Sequence, residues 1–241
     1  MTLAQKTVVV IGGTSGFGKA TALSAAELGA KVTITGRDRA KLDAVIAEMG
    51  AAGHAVSGAV LDAADPASIS SFFDQIAQFD HLVSMAGGFM GGGFLSADYE
   101  TIHHAVEEKL FANLRIARAA APKIAQGGSM TFTAGSGGRP QGASGAIVGN
   151  ESISTMVRGL AVELAPKARV NAVSPTWTVT PLWRGMSEAE VAQTKQHFSD
   201  LIPLGRTAEI AEVSSAYLFL MQNGFITGQT LAVDGGVDLV G

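Results

Sequence analysis

Residues 7–18 read Thr-Val-Val-Val-Ile-Gly-Gly-Thr-Ser-Gly-Phe-Gly, an apolar run that leads directly into a glycine-rich turn. The run is typical of a buried strand, and an alanine-rich helical pattern follows it. In the spacing GxxxGxG, Gly12 allows a tight turn, Gly16 lets a phosphate approach the backbone, and Gly18 lets the helix pack against the strand. We therefore predict that this strand–turn–helix junction binds the pyrophosphate of a dinucleotide at the helix N-terminus.

The end of the second predicted strand indicates which dinucleotide fits. A site for NAD usually places an acidic residue there to hold the ribose hydroxyls. This chain instead has Gly36 followed by Arg37, and a guanidinium suits a 2′-phosphate. Ser15 and Thr14 can add hydroxyl donors. The pattern predicts NADP(H), the alternative being that Arg37 is only a solvated residue at a strand end.

Short apolar runs alternate with longer helical patterns along the whole chain. This order predicts an α/β protein of the Rossmann type, a doubly wound, seven-stranded parallel sheet with helices on both faces. We see no linker and expect a single domain over residues 1–241, with the glycine-rich stretch Gly87–Gly93 forming a loop over the site. The predicted strands are 7–11, 31–35, 55–61, 81–85, 129–133, 169–173 and 230–233; the predicted helices are 18–28, 39–49, one opened by Asp65 and Pro66, 99–125 and 146–164.

Composition and charge narrow the possible partners. The 241 residues carry a net charge of -4 with no basic run, so we expect neither nucleic acid nor a membrane as partner. The absence of cysteine excludes disulfides and thiolate metal sites, and we expect no metal. The N-terminus lacks the parts of a signal peptide and no stretch is apolar enough to span a bilayer, so we expect a cytoplasmic protein.

Several motifs, in order along nearly the whole chain, resemble those of the short-chain dehydrogenase/reductase family. They are Gly12–Gly18 for TGxxxGxG, Leu61-Asp62 for the adenine motif, Ser84–Gly87 for NNAG, Arg169–Pro175 for RVNxVxPG and Asp234–Gly236 for DGG. The resemblance implies the Rossmann-type fold and an assembly of two or four copies. It also implies a set of cofactor-binding residues, which with those above gives Gly12, Thr14, Ser15, Gly16, Phe17, Gly18, Arg37, Asp62, Ala86, Gly87, Pro175, Thr178 and Thr180.

The resemblance fails at the residues that carry catalysis in most members of this family. Those members use Asn, Ser, Tyr and Lys, with the last two spaced as YxxxK; the tyrosine protonates a carbonyl, the lysine lowers its pKa, and the serine binds the substrate oxygen. This chain has two tyrosines, Tyr99 and Tyr217, and neither precedes a lysine by four residues. Alignment to neighbouring motifs puts Lys109 at the position of the usual asparagine and Asn150 at that of the usual lysine. The usual tyrosine falls at Ala146, and the usual serine falls near Gly135, with Ser136 next to it.

The lysine and asparagine positions thus look exchanged, which suggests a rearranged site. We hypothesise that Lys109, held by Asn150, has a depressed pKa and acts as proton donor or electrostatic stabiliser, while Ser136 holds the substrate oxygen. The alternatives are a surface lysine at 109, a turn hydroxyl at 136 and a helix-interior polar residue at 150.

Aromatic and apolar residues in the segments after the fourth and sixth strands predict a pocket for a small apolar substrate. They are Phe89, Met90, Phe94, Trp177, Trp183, Met186 and Phe198. The rival interpretation is a lid that packs on itself, or a subunit contact. For assembly, we expect a homodimer or homotetramer that pairs the small apolar faces of residues 112–121 and 153–164.

These features favour an NADP-dependent oxidoreductase that reduces a carbonyl or conjugated double bond with a non-standard catalytic set. The missing tyrosine leaves two alternatives open. One is a non-catalytic NADP(H)-binding sensor or regulatory protein, and the other is a lyase or isomerase on the same fold.

Overall fold

The fold is a seven-stranded parallel sheet with the strand order β3-β2-β1-β4-β5-β6-β7, as seen in a computed structural model that describes residues 2–240. Every neighbouring pair of strands is parallel, which confirms the predicted Rossmann-type sheet. The strands are β1 Thr7–Ile11, β2 Lys31–Gly36, β3 Val56–Val60, β4 Phe79–Ser84, β5 Ile124–Thr133, β6 Ala168–Pro175 and β7 Thr230–Val233.

Helices cover both faces of the sheet and bury two separate apolar cores. One core packs α3, α5 and α6 against the sheet, and the other packs α1, α2 and α8 against the opposite face. The helices are α1 Gly16–Glu27, α2 Arg39–Ala51, α3 Pro66–Gln75, α4 Tyr99–Val106, α5 Ala112–Ala120, α6 Ser144–Glu163, α7 Glu188–Leu201 and α8 Ile210–Gln222. None of the helices within residues 2–240 is long and apolar enough to cross a membrane.

Most predicted bounds differ from the observed ones by no more than two residues, but the predicted helix 99–125 is wrong. It is split into α4, a π-helical turn at Glu107–Phe111, and α5, which ends at Ala120. Pro122 cannot continue a helix, so the chain turns there and β5 begins at Ile124, five residues before the predicted start. Ala125, the last residue of the predicted helix, therefore lies in β5.

Two helices, α7 and α8, were not predicted, although both carry a capping signal in the sequence. Ser187 and Glu190 form a capping box at the start of α7, and Glu209 and Glu212 form one at the start of α8. α8 packs against α1 and completes the second core with Tyr217 and other buried residues.

The strand order reverses between β1 and β4, so the crevice for a ligand opens at their carboxyl ends. The glycine-rich stretch after β4 is indeed a loop, and it is fastened to the loop after β5. The Gly92 N–H donates to Gly142 O at 2.8 Å, and the Ser144 N–H donates to Gly92 O at 3.0 Å. The two loops thus form one wall over the ends of β4 and β5.

Candidate functional site

The loop after β1 has the backbone shape that its glycines predicted. Gly12 and Gly16 have positive φ angles of 82° and 52°, a region that side chains other than glycine rarely adopt. A Cβ on Gly18 would lie only 2.1 Å from Gly12 O, so the turn cannot close on any larger residue. Ser15 is the exposed N-cap residue of α1, and its side chain makes no capping hydrogen bond. The N-terminal N–H groups of α1 are therefore available to an anion.

The end of β2 places a free cation beside this loop. Gly36 is buried against Thr14, whose Cγ2 would lie 2.6 Å from a Cβ at position 36. Arg37 follows directly, is exposed, and makes no ion pair within residues 2–240. A glycine–arginine sequence at this point thus brings a guanidinium to the edge of the loop, while the following Asp38 caps α2 and lies 3.8 Å from Lys41 Nζ.

The segment after β6 closes over the same loop. Gly16 faces Thr180, whose Cβ would lie 3.6 Å from a Cβ on the glycine. The hydroxyl of Thr180 accepts from the Leu182 N–H, and that of Thr178 donates to Thr176 O at 3.0 Å. The fold therefore brings two sequence motifs that lie far apart, at positions 12–18 and 175–181, to opposite sides of one crevice.

Four of the other predicted cofactor residues lie at or just after the carboxyl ends of strands, and the fifth, Phe17, lies in the first turn of α1. They are Phe17, half-buried against the second core; Asp62, which accepts from the Ala64 N–H; Ala86, buried behind the β4 loop; Gly87, with φ 123°; and Pro175, whose carbonyl accepts from the Ser136 N–H. Their contacts with a nucleotide stay a prediction.

Lys109 lies at the centre of the π-helical turn, and it is not a surface lysine. Its side chain is only 7% exposed, and its ammonium donates to Ala134 O, at the end of β5, over 3.3 Å. π-Turns inside α-helices occur frequently at functional sites. Here the turn directs Lys109 inward, to the carboxyl ends of β4 and β5 beside the crevice.

Three glycines make room for Lys109 and Asn150. A Cβ on Gly87 would lie 2.5 Å from Lys109 Cδ, and one on Gly149 would lie 2.8 Å from Lys109 Cβ. A Cβ on Gly135, at the place of the usual serine, would lie 2.6 Å from Asn150 Nδ2. Each glycine is thus fitted to one of the two exchanged residues.

Burial alone lowers the pKa of Lys109 from 10.5 to about 8. Within residues 2–240 no carboxylate forms an ion pair with it. Of the neighbouring acids, Glu107 forms an ion pair with Arg115, while Glu108 lies with one oxygen 3.2 Å from His104 Nε2 and the other over Gly88. The amine is therefore able to exchange a proton close to neutral pH.

The hypothesis that Asn150 holds Lys109 is wrong in its geometry. The lysine bonds to the Ala134 carbonyl, while the Asn150 amide lies over Gly135, and no hydrogen bond joins the two side chains among the described residues. The reason is the missing side chain at position 135, which leaves space that the Asn150 amide fills.

Ser136 makes a closer set of bonds than the sequence suggested. Its hydroxyl lies 2.7 Å from Ser174 Oγ and 3.0 Å from Ser174 O. The side chain is partly buried and faces the end of β6. To bind a substrate oxygen, the Ser136 hydroxyl would first have to break one of its hydrogen bonds to Ser174.

Neither tyrosine can stand in for the usual proton donor. Tyr217 lies fully buried in the second core, where its hydroxyl is 2.8 Å from Thr133 Oγ1 and burial raises its pKa. Tyr99 is 72% exposed at the start of α4. Ala146 occupies the first turns of α6, where the resemblance places the tyrosine.

The aromatic residues mostly pack on one another, which favours the rival interpretation of a lid. Trp177 stacks on both Trp183 and Phe198, at centroid distances of 5.6 and 5.5 Å, and Trp183 meets Phe89 edge-on at 5.1 Å. Phe94 lines a separate groove of about 570 Å³, together with α6 residues such as Val148 and Ser152. Its place in a substrate pocket stays a prediction.

The apolar positions predicted to pair subunits are largely used inside the chain. In α5 and α6 the residues Ile116, Ala117, Ala120, Ile153, Val157 and Ala161 belong to the first core. They pack there against the sheet, and the homodimer or homotetramer stays a prediction.

Asn113 is a polar residue of this site that the sequence analysis missed. It is fully buried one turn after Lys109 and makes three side-chain hydrogen bonds, described below. Its position four residues after a candidate catalytic residue, on the helix face that also carries Ile116, Ala117 and Ala120, is the signal that could have identified it.

Comparison with known proteins places this crevice in a family. A family model described as enoyl-(acyl carrier protein) reductase matches residues 12–238, nearly the whole chain. The chain belongs to the short-chain dehydrogenase/reductase family. The short-chain dehydrogenase/reductase motifs that define the crevice are those at positions 12–18, 84–87 and 169–175.

Relatives within the short-chain dehydrogenase/reductase family are similar over their full length. The chain is 31% identical to a (2S)-[(R)-hydroxy(phenyl)methyl]succinyl-CoA dehydrogenase subunit of Thauera aromatica, over 99% of both chains. It is 30% identical to a human 3-oxoacyl-[acyl-carrier-protein] reductase, over 98% of this chain and 99% of the relative. Among solved structures, a small-chain dehydrogenase in complex with NADPH is 30% identical with a TM-score of 0.81, over 98% of this chain and 99% of that one.

Proposed function

We propose that the protein is an NADP(H)-dependent oxidoreductase that reduces a carbonyl or conjugated double bond of a small apolar substrate, with Lys109 as its proton donor. The proposal rests above all on a buried ammonium at the carboxyl ends of β4 and β5 that has a lowered pKa and no carboxylate partner among residues 2–240. A lysine in this state can give up a proton at the pH at which the protein works.

The residues present fit NADP(H). The Gly12–Gly18 turn offers the free N–H groups of α1 to a pyrophosphate, and Arg37 and Thr14 stand at the end of β2, where a 2′-phosphate would need a cation and a hydroxyl. The NADPH complex of a relative that is 30% identical supports the same cofactor. When bound, NADPH supplies the hydride.

In this proposal the chain's own residues bind the substrate and move the proton. The Lys109 ammonium donates to the substrate oxygen as negative charge develops there, and the neutral amine then takes a proton from solvent. The Ala134 carbonyl orients the ammonium in the resting site. The stacked side chains of Trp177, Trp183 and Phe198 exclude water from the apolar side of the crevice.

The test is turnover of a panel of aldehydes, ketones and enones, followed at the nicotinamide absorbance. We expect Lys109→Met to lower kcat/KM by about 100-fold or more, the contribution typical of general acid catalysis. The matched control is Lys167→Met, which removes another lysine that donates to a backbone carbonyl, but at the amino end of β6. Equal activity of Lys109→Met and the unaltered protein would remove Lys109 from the mechanism.

A second candidate function, a non-catalytic NADP(H) sensor, is favoured by the engagement of Ser136 with Ser174 and by the small exposure of Lys109. Tight NADPH binding without turnover across the panel would support it. In that case Lys109→Met would leave the NADPH affinity unchanged, whereas Arg37→Ala would lower it.

A further inference from the structure

The buried side chain of Asn113 joins three segments that surround Lys109. Its Nδ2 group donates to Lys109 O at 2.6 Å and to Ala86 O at 3.1 Å. Its Oδ1 accepts from Ser84 Oγ at 2.6 Å. One amide therefore connects the π-helical turn, the loop that leads to Gly87, and the end of β4.

Each of these bonds is needed because the site is closed to water. Asn113 and Ser84 are 0% exposed, so a donor or acceptor that loses its partner there is left unsatisfied. The amide offers two donors and an acceptor, and all three are used. Leucine has nearly the same size and shape and can make none of these bonds.

The geometry also explains how Lys109 stays in place although no side chain among residues 2–240 bonds to it. The lysine stem runs beneath Gly87, and within the same residues its ammonium donates only to the Ala134 carbonyl. What fixes the stem is therefore the backbone at its two sides, the π-turn that carries it and the Ala86–Gly87 loop that covers it. Asn113 bonds to both.

We propose that Asn113 is a positioning residue that fixes the π-turn and the β4 loop around the Lys109 ammonium, so that the amine is held buried at the crevice. Asn113, one helical turn after Lys109, thus has the role of holding the lysine that we expected of Asn150 in α6. The proposal rests on the proposed function only for its catalytic consequence.

The test measures Lys109 directly, without any substrate. The protein is labelled with 13Cε-lysine, and the Lys109 resonance, assigned by its loss in Lys109→Met, is titrated by NMR in the full chain. We expect a midpoint near 8 in the unaltered protein and, in Asn113→Leu, an upward move of at least about one pH unit toward the solvent value, because the loosened loop admits water.

The matched control is Asn171→Leu, a second fully buried asparagine with bonds to Ile226 and Gln229, away from the lysine. It should lower the melting temperature without moving the Lys109 midpoint. If Asn113→Leu does not fold, Ser84→Ala removes the hydroxyl that orients the amide and should give a smaller move in the same direction.

An unmoved midpoint in a folded Asn113→Leu protein, or an equal move in Asn171→Leu, would overturn the positioning role. If the midpoint moves while no substrate on the panel turns over, the proposed reductase activity fails and the role of Asn113 stands. If turnover is found, kcat in Asn113→Leu should fall more than the affinity for NADPH.

Discussion

Replacing Lys109 by methionine should stabilise the protein at neutral pH, against the usual effect of a substitution in the interior. Methionine keeps the length of the apolar stem and removes a charge that is 7% exposed and has no ion-pair partner within residues 2–240. The penalty for burying this charge follows from its pKa, which falls from 10.5 in the unfolded chain to about 8 in the fold. At about 1.4 kcal/mol per pH unit, this corresponds to about 3 kcal/mol at pH 7.

The sign of the pH dependence follows from which state holds the proton. Below pH 8 both states carry it, so the penalty is fully present; between 8 and 10.5 the folded state releases it first, and stability rises with pH. Methionine also forfeits the bond to Ala134 O, worth about 1 kcal/mol. The variant should therefore gain about 2 kcal/mol at pH 7, and the gain should vanish near pH 10.

Urea unfolding of both proteins at pH 7 and pH 10, without cofactor, measures this difference. Lys167→Met is the control and should not raise the free energy of unfolding at pH 7, because its lysine is only half-buried and serves two backbone carbonyls. A Lys109→Met protein less stable than its parent at pH 7, or a gain that does not change with pH, would refute the burial argument.

Other predictions concern the cofactor and the pH profile. Arg37→Ala should weaken NADPH about 10-fold or more while leaving NADH nearly unchanged, as measured by fluorescence titration; an equal loss for both would count against a 2′-phosphate contact. Gly18→Ala should abolish binding of either nucleotide while the protein stays folded, because the new Cβ would lie 2.1 Å from Gly12 O and distort the turn. Calorimetry measures the affinity, and unchanged binding of NADPH by the variant would contradict the prediction. The reductase rate should fall above about pH 8, where Lys109 loses its proton, and a rate that is flat to pH 10 would exclude lysine as the donor.

The sequence predicted the sheet well because each of its strands is short, apolar and bounded by turn residues. The prediction of helices was less accurate. Residues 99–125 read as one helix because a π-turn leaves no trace in hydrophobic periodicity, and α8 escaped notice because its buried residues look like the apolar strands around it. The capping boxes at Ser187 and Glu209 mark the starts of both missed helices, so the local sequence does contain a signal for them.

At the site, the sequence identified the residues but not their contacts. It could place Lys109 and Asn150 near the same strands, since the motifs fix their position along the fold. It could not show that Gly135 leaves space for the Asn150 amide, because that contact depends on a side chain that is absent. It also missed Asn113, because two of that residue's three partners are backbone carbonyls, which any sequence would supply.

The choice between an enzyme and a sensor can be argued from what each would need to retain. A nucleotide sensor needs the turn at Gly12–Gly18 and the cation at Arg37, and neither depends on Lys109. Yet the chain keeps a buried charge that methionine would relieve, and it keeps Gly149 inside α6, where glycine is about 1 kcal/mol less favourable than alanine. The buried charge fits the proposal that the lysine itself is used, because a site without that chemistry would gain stability by replacing it. Gly149 is neutral on this point, since it meets the Cβ and Cγ of Lys109, atoms that methionine would also place there.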